Sequence, residues 1–281
     1  FITMTKKHKN SLNNLTAKEW LPETVSVWTQ KGLGAKHPDT KIEKQHPAPF
    51  SFTDVSRLIK FFTKKRDTVL DPFVGVGSTL KACALENRNG IGIELNPIFV
   101  KLSKKRIKNE TNSTGPVKQV VIKGDAKAQL SKLSTSSIDM VLTSPPYWNI
   151  LSKVDHKVKQ ERIKKNLVKD YGNLKNDLSN IKTYEKFLDE LTEIFGECKR
   201  LLKPGKYINI IVSDFRHKSK YYMFHADLAQ RLEKIGYQSK GLTVLYQRHK
   251  RVFPYGYPYA YVPNIHNQFI LILQKPKLNG K

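Results

Sequence analysis

Two rhythms of apolar residues alternate along this chain. Short apolar-rich runs at 68–70, 90–93, 117–122 and 138–142 read as strands, while spacings of three and four between them predict helices. Phe52, Val55, Leu58, Ile59 and Phe62 mark one helix, most simply a core-packing one. A second runs through Leu80, Ala84 and Leu85, and a third from Pro97 to Arg106. Further on, Tyr184, Phe187, Leu188, Leu191, Ile194, Phe195, Cys198 and Leu202 mark a long amphipathic helix that Lys203-Pro204-Gly205 stops. A strand at 207–212, a helix at 223–235 halted by Gly236, and strands at 242–246 and 268–273 complete the series. Strand and helix taking turns in this way predict an α/β fold around a mostly parallel sheet.

Elsewhere the rhythm fails. Residues 1–14 are polar and lysine-rich and are expected to be flexible; Phe1 is no initiator, and Met4 is the expected start. Residues 15–28 carry Trp20 and Trp28 without clear periodicity, and 29–45 read as a mobile loop. The segment 151–182 is crowded with cations, among them Lys153 and Lys157, and is too long for an ordinary connection. A loop at 247–266 mixes Arg248, His249, Lys250 and Arg251 with Tyr255, Tyr257 and Tyr259, the mixture nucleic-acid grooves use for phosphates and stacked bases. We therefore expect an N-terminal extension over 1–45 and one domain over 46–281 that carries these two insertions.

The candidate chemistry lies at the strand tips. Asp71-Pro72-Phe73-Val74-Gly75-Val76-Gly77-Ser78-Thr79 follows the first strand; its glycines permit a tight turn and close backbone approach to a ligand. Ser78 or Thr79 is expected to cap the next helix. This is no Walker loop, since the Gly-Lys-Ser/Thr ending is missing. The second strand ends in Glu94, where nucleotide-binding α/β folds hold ribose hydroxyls, and the third in Gly124-Asp125. The fourth runs into Thr143-Ser144-Pro145-Pro146-Tyr147-Trp148. Its two prolines cannot donate ladder hydrogen bonds, so the chain turns stiffly and presents an aromatic pair.

Charge changes the picture next. Lys and Arg number 50 against 24 Asp and Glu, a net charge of +26, which predicts a polyanionic partner. Cys83 and Cys198 are too few for a disulfide framework or a cysteine-based zinc site, and no metal site is expected. No apolar run approaches the roughly 20 residues of a membrane span, so a cytoplasmic protein is expected.

The pairing of Asp71-Pro72-Phe73-x-Gly75-x-Gly77 with Ser144-Pro145-Pro146-Tyr147 resembles the prokaryotic amino-methyltransferases of DNA. It looks most like the N4-cytosine branch, whose usual tetrapeptide is Ser-Pro-Pro-Tyr; the N6-adenine branch more often has Asp or Asn in place of Ser144. The resemblance runs from about His46 to Gln274. It implies a Rossmann-like class I fold, a seven-stranded sheet with a reversed last strand, using S-adenosyl-L-methionine and releasing S-adenosyl-L-homocysteine. Asp71, Phe73, Gly75, Gly77, Ser78 and Thr79 would form the loop beneath the methionine part, with His46 and Pro47 over it. Glu94 would take the ribose and Asp125 the adenine. Ser144, Pro145, Pro146 and Tyr147 would receive a base flipped out of double-stranded DNA, with Trp148 and Asp214 nearby. Lys153, Lys157, Arg248 and Arg251 would meet the DNA around it. The cofactor motif precedes the catalytic one, the reverse of the commonest N4-cytosine order. No large separate recognition domain is expected, so recognition is expected to fall to the two insertions, the N-terminal segment or a specificity partner. A cognate restriction endonuclease and a prokaryotic or phage source are compatible with the family.

A sulfonium leaving group needs no metal and no strongly perturbed base. Ser144 Oγ and the Pro145 carbonyl suit the role of acceptors for an amine that must become tetrahedral. Methylation at a ring carbon would need a cysteine at the catalytic turn, and neither cysteine lies there. Two alternatives remain open at this level: N6-adenine methylation, and an inactive paralogue that only binds DNA.

Overall fold

The computed structural model describes residues 10–30, 52–111, 115–148 and 176–277. Its strands are β1 (Val27–Thr29), β2 (Thr68–Asp71), β3 (Asn89–Glu94), β4 (Gln119–Lys123), β5 (Ile138–Thr143), β6 (Leu202–Val212), β7 (Phe215–His217), β8 (Lys220–Tyr222), β9 (Gln238–Tyr246) and β10 (Asn267–Gln274). The helices are α1 (Ala17–Trp20), α2 (Phe52–Phe62), α3 (Ser78–Leu85), α4 (Pro97–Glu110), α5 (Ala126–Leu130), α6 (Tyr184–Leu201) and α7 (Phe224–Lys234).

One sheet organises them, in the order β1-β9-β10-β6-β5-β2-β3-β4, and β7 pairs with β8 in a separate hairpin. Strand β10 runs antiparallel to both neighbours, and the sheet's other pairs are parallel. The seven strands from β9 to β4 are the expected sheet with its reversed last strand. The eighth, β1, was not legible: its three residues dock on β9, and Trp28 becomes 4 % exposed beneath the Arg57 guanidinium, 3.7 Å from the ring centroid.

Period-two alternation divides the core between the two faces of the sheet. Val69, Met140, Leu142, Ile211 and Ile270 pack with Val55, Leu58 and Ile59 of α2. Their neighbours Leu70, Val141, Ile210, Val212 and Leu271 pack with Phe187, Leu191 and Phe195 of α6 and Leu228 of α7.

Two local expectations are corrected. Neither Ser78 nor Thr79 caps α3; Gly77 does, at φ 88°, and the two hydroxyl residues lie in the first turn with other bonds to make. Nor does Lys203-Pro204-Gly205 separate helix from strand, since β6 begins at Leu202. Gly205 at φ 76° lets the strand shift register against β5, and such an irregularity tolerates a proline that has no N–H to donate.

From β2 the chain steps outward to β3 and β4, then returns to the other side of β2 as β5. That reversal is a topological switch point, and the crevice at its carboxyl end is the natural ligand site of an open α/β sheet. Both motifs leave the sheet there. Among the described residues no helix is long and apolar enough to cross a membrane, and no cluster of His, Cys, Asp and Glu is arranged to hold a metal ion.

Candidate active site

A cleft with about 900 Å³ of free space, open mouth included, lies at this switch point. Phe73, Gly75, Glu94 and Asp125 line one part of it; Ser144, Pro145, Pro146 and Tyr147 line another. Residues 75 and 147 thus share one hollow, as the pairing of motifs requires.

The glycine loop owes its shape to two carboxylates. Asp71 is wholly buried beneath it, where Oδ1 accepts from the Phe73 N–H at 3.0 Å and from Thr143 Oγ1 at 2.6 Å, and Oδ2 accepts from Thr79 Oγ1. Burial outweighs these three donors and pushes its pKa up from 3.8 to about 6. At the tip of β3, Glu94 accepts from the Gly75 N–H at 2.9 Å and the Asn96 N–H at 2.7 Å. Burial pushes its pKa from 4.5 to about 7, again against its donors. Asp125 caps α5, Oδ1 accepting from the Ala128 N–H at 3.0 Å. These carboxylates give the cleft an acidic end in a strongly basic chain.

The Pro-Pro turn is fixed from behind. Pro145 is buried, Ser144 and Tyr147 are half-buried, and the Tyr147 ring meets Phe224 edge-on at 6.3 Å. The Gln268 side-chain amide and the Ser213 main-chain N–H both hydrogen-bond the Tyr147 hydroxyl, while burial raises its pKa.

Not every expected residue reaches the cleft. Gly77 shapes the loop, and Thr79 is buried against Asp71. Ser78 touches the cleft, yet its Oγ accepts from Nη1 of the fully buried Arg106 at 3.0 Å. Trp148 faces away from the cleft. It is 6 % exposed, gives its indole N–H to the Ile181 carbonyl at 2.8 Å and packs on Tyr184, His217 and Tyr222. Asp214, expected beside the base, is buried off the cleft, where Oδ1 accepts from the His225 N–H at 3.2 Å and meets Nδ1 at 2.7 Å. Arg248 and Arg251 lie on the exposed β9–β10 loop, and Arg251 lines a separate hollow with Lys250 and Tyr255. His46, Pro47, Lys153 and Lys157 lie outside the described residues, as do 31–51 and 149–175.

Three residues that sequence reasoning missed line the cleft. Asn96 caps α4 through the Ile98 N–H at 2.9 Å, and the Asn-Pro pair before that helix was the available signal. Asn176 and Asp177 arrive from the end of the 151–182 segment, where no periodicity marked them; Asp177 caps a short 3₁₀ turn through the Ser179 N–H at 2.9 Å.

Residues 2–105 and 138–279 match the family model described as DNA methylase, of the N6/N4 methyltransferase type. Over 95 residues the chain is 39 % identical to the type II methyltransferase M.BglI of Bacillus subtilis, covering 34 % of this chain and 26 % of that one. Over 111 residues it is 32 % identical to M.HpaI of Haemophilus parainfluenzae, covering 40 % and 33 %. The matched stretch thus spans a quarter to a third of the length of those relatives. A candidate DNA modification methylase of Thermus thermophilus, solved with S-adenosyl-L-methionine, is 28 % identical and covers 56 % of each chain at a TM-score of 0.38.

Proposed function

This chain belongs to the DNA methylase family of N6/N4 methyltransferases, and from that premise we propose that it transfers a methyl group from S-adenosyl-L-methionine to the exocyclic N4 amine of a cytosine flipped out of double-stranded DNA. One observation carries the reading: Gly75 and Tyr147 line the same cleft at the switch point.

The residues at the acidic end fit that cofactor. Glu94 and Asp125 offer carboxylates to hydroxyl and amino donors, Phe73, Val74 and Ile93 offer apolar surface, and Gly75 at φ 53° lets the backbone come close. When bound, the cofactor supplies an electrophilic methyl on a positively charged sulfur. The acidic end of the cleft favours that charge.

A cytosine amine is a weak nucleophile, because its lone pair is delocalised into the ring. Ser144 Oγ and the Pro145 carbonyl accept its hydrogens and draw it toward tetrahedral geometry. The Pro-Pro turn holds both acceptors still, so alignment lowers the barrier. The half-buried Tyr147 ring offers a face on which an extruded base stacks. Nitrogen carrying the new methyl is a strong acid, so its surplus proton passes to water without a dedicated base, and Asp214 is not needed for that step.

Ser144 is the residue that favours cytosine over adenine in this reading. The N-terminal segment and the basic insertions would hold the duplex, and a specificity partner or cognate nuclease is compatible with the family. The test is mass spectrometry of nucleosides from DNA incubated with the protein and S-adenosyl-L-methionine. N4-methylcytosine is the expected product. N6-methyladenine would overturn the choice of base, and unmodified DNA alongside intact cofactor binding would establish the inactive paralogue.

A further inference from the structure

We propose that the β7–β8 hairpin, together with Lys182, is a binding site for backbone phosphates of DNA, tied to the catalytic turn through Trp148. It rests on the methyltransferase reading, because it supplies the strand-holding surface beside that active site.

The hairpin projects from the main sheet just after β6. With its neighbours it encloses a second hollow lined by Trp148, Lys182, His217, Lys218, Ser219, Lys220 and Tyr222. Of these seven residues three are lysines, one is a histidine, one a serine, and none is a carboxylate. Among the described residues no ion pair engages Lys182, Lys218 or Lys220, and all three are exposed. Unneutralised ammonium groups held around one concavity, with a hydroxyl donor at the tip, match the charge and hydrogen-bonding needs of a phosphodiester oxygen. The aromatic floor is too deeply covered to accept a base, since Trp148 is 6 % exposed. What the hollow offers a nucleic acid is its cationic rim.

A lone two-stranded hairpin is marginal in water. This one is held by rings. Phe215 stacks on Tyr222 at 5.3 Å and 15°, Tyr184 meets Tyr222 at 4.7 Å, and the His217 ring lies 4.7 Å from Trp148. Trp148 in turn is tied to Ile181, next to Lys182. One buried indole therefore joins the hairpin, the Lys182 segment and the catalytic turn, because Tyr147 is its chain neighbour. A strand gripped at this rim is held at a fixed distance from the residues that receive the base. That gives Trp148 a purpose other than the substrate contact expected of it.

The test is equilibrium binding of the whole protein to a double-stranded oligonucleotide across a salt series, for the wild type and the variant Lys182→Gln/Lys218→Gln/Lys220→Gln. Each phosphate contact removed lowers the slope of log K against log salt by about 1. We expect the triple variant to lose about two units of slope while binding S-adenosyl-L-methionine as the wild type does. Lys104→Gln/Lys105→Gln on α4, which removes net charge from another surface, should leave the slope unchanged. A wild-type slope in the triple variant overturns the site, as does an equal loss per charge in the α4 variant. A wild-type protein that neither binds nor methylates DNA overturns the underlying reading instead.

Discussion

Thr143 Oγ1 donates a 2.6 Å hydrogen bond to Asp71 Oδ1, across 72 residues of sequence. The loop that shapes one end of the cleft and the turn that shapes the other therefore hang from one buried carboxylate. Thr143 is the last residue of β5 and Asp71 the last of β2, neighbouring parallel strands whose tips this bond fastens together.

Replacing Thr143 with valine keeps the volume and removes the donor. A hydrogen bond to a charged group contributes about 1.5–3 kcal/mol, so Thr143→Val should lower unfolding free energy by that amount in urea titration. The proposed methyl transfer should fall too, since the Pro-Pro turn loses its tie to the glycine loop. Wild-type stability in this variant would show that the bond does not hold the two tips.

Glu94 predicts a pH dependence. Its pKa is about 7 in the folded protein against 4.5 as a free side chain, so it contributes stability fully present below 4.5 that is lost as pH rises through 7. In the proposed cofactor complex affinity should run the other way, because hydroxyl donors bond best to an ionised carboxylate. The rise in melting temperature on adding S-adenosyl-L-methionine should therefore grow between about pH 6 and about pH 8. Glu94→Gln should flatten that growth; a variant that kept it would point to another titrating group.

Gly77 has a positive φ of 88°, and a Cβ built there would stand 2.5 Å from Ser103 Oγ and 3.3 Å from its Cβ. Gly77→Ala should cost about 1–2 kcal/mol for the left-handed backbone, plus the clash, and weaken cofactor binding by reshaping the loop. Adding Ser103→Ala removes the clashing oxygen. The double variant should recover most of the steric part and retain the backbone part, as calorimetric melting of the three proteins would show.

What the sequence revealed depended on how local the cause was. The glycine loop and the Pro-Pro turn were legible because φ freedom and a missing N–H are properties of the residues themselves. The helices at 52–62 and 184–201 were legible because one face repeats along each. By contrast, β1 is three residues long and finds its partner at Val244–Tyr246, far along the chain. The β7–β8 hairpin turns at Lys218-Ser219, without the Gly or Asn that usually marks such a turn, and Lys218 takes the positive φ itself. Trp148 looked like a substrate residue from its place beside Tyr147, and Asp214 like a strand-tip acid. Their surroundings are set by residues 181–225, which no local pattern connects to them.

The same distance in sequence hides a chain of side chains behind Tyr147. Gln30 donates to Asp54 at 3.0 Å; Gln247 donates to Gln30 at 2.9 Å and to Gln268 at 3.3 Å; and the Gln268 amide hydrogen-bonds the Tyr147 hydroxyl. Four segments (the stretch after β1, α2, the end of β9 and β10) thus converge on one ring of the catalytic turn. If the chain positions that ring, Gln268→Leu should lower kcat about threefold to tenfold, the worth of one neutral hydrogen bond, with little change in KM for the cofactor. Tyr147→Phe removes the same bond from the other side, together with the one from Ser213, so the double variant should cost no more than Tyr147→Phe alone. Additive losses in single-turnover methylation would mean that Gln268 acts elsewhere, and the chain would then be packing rather than positioning.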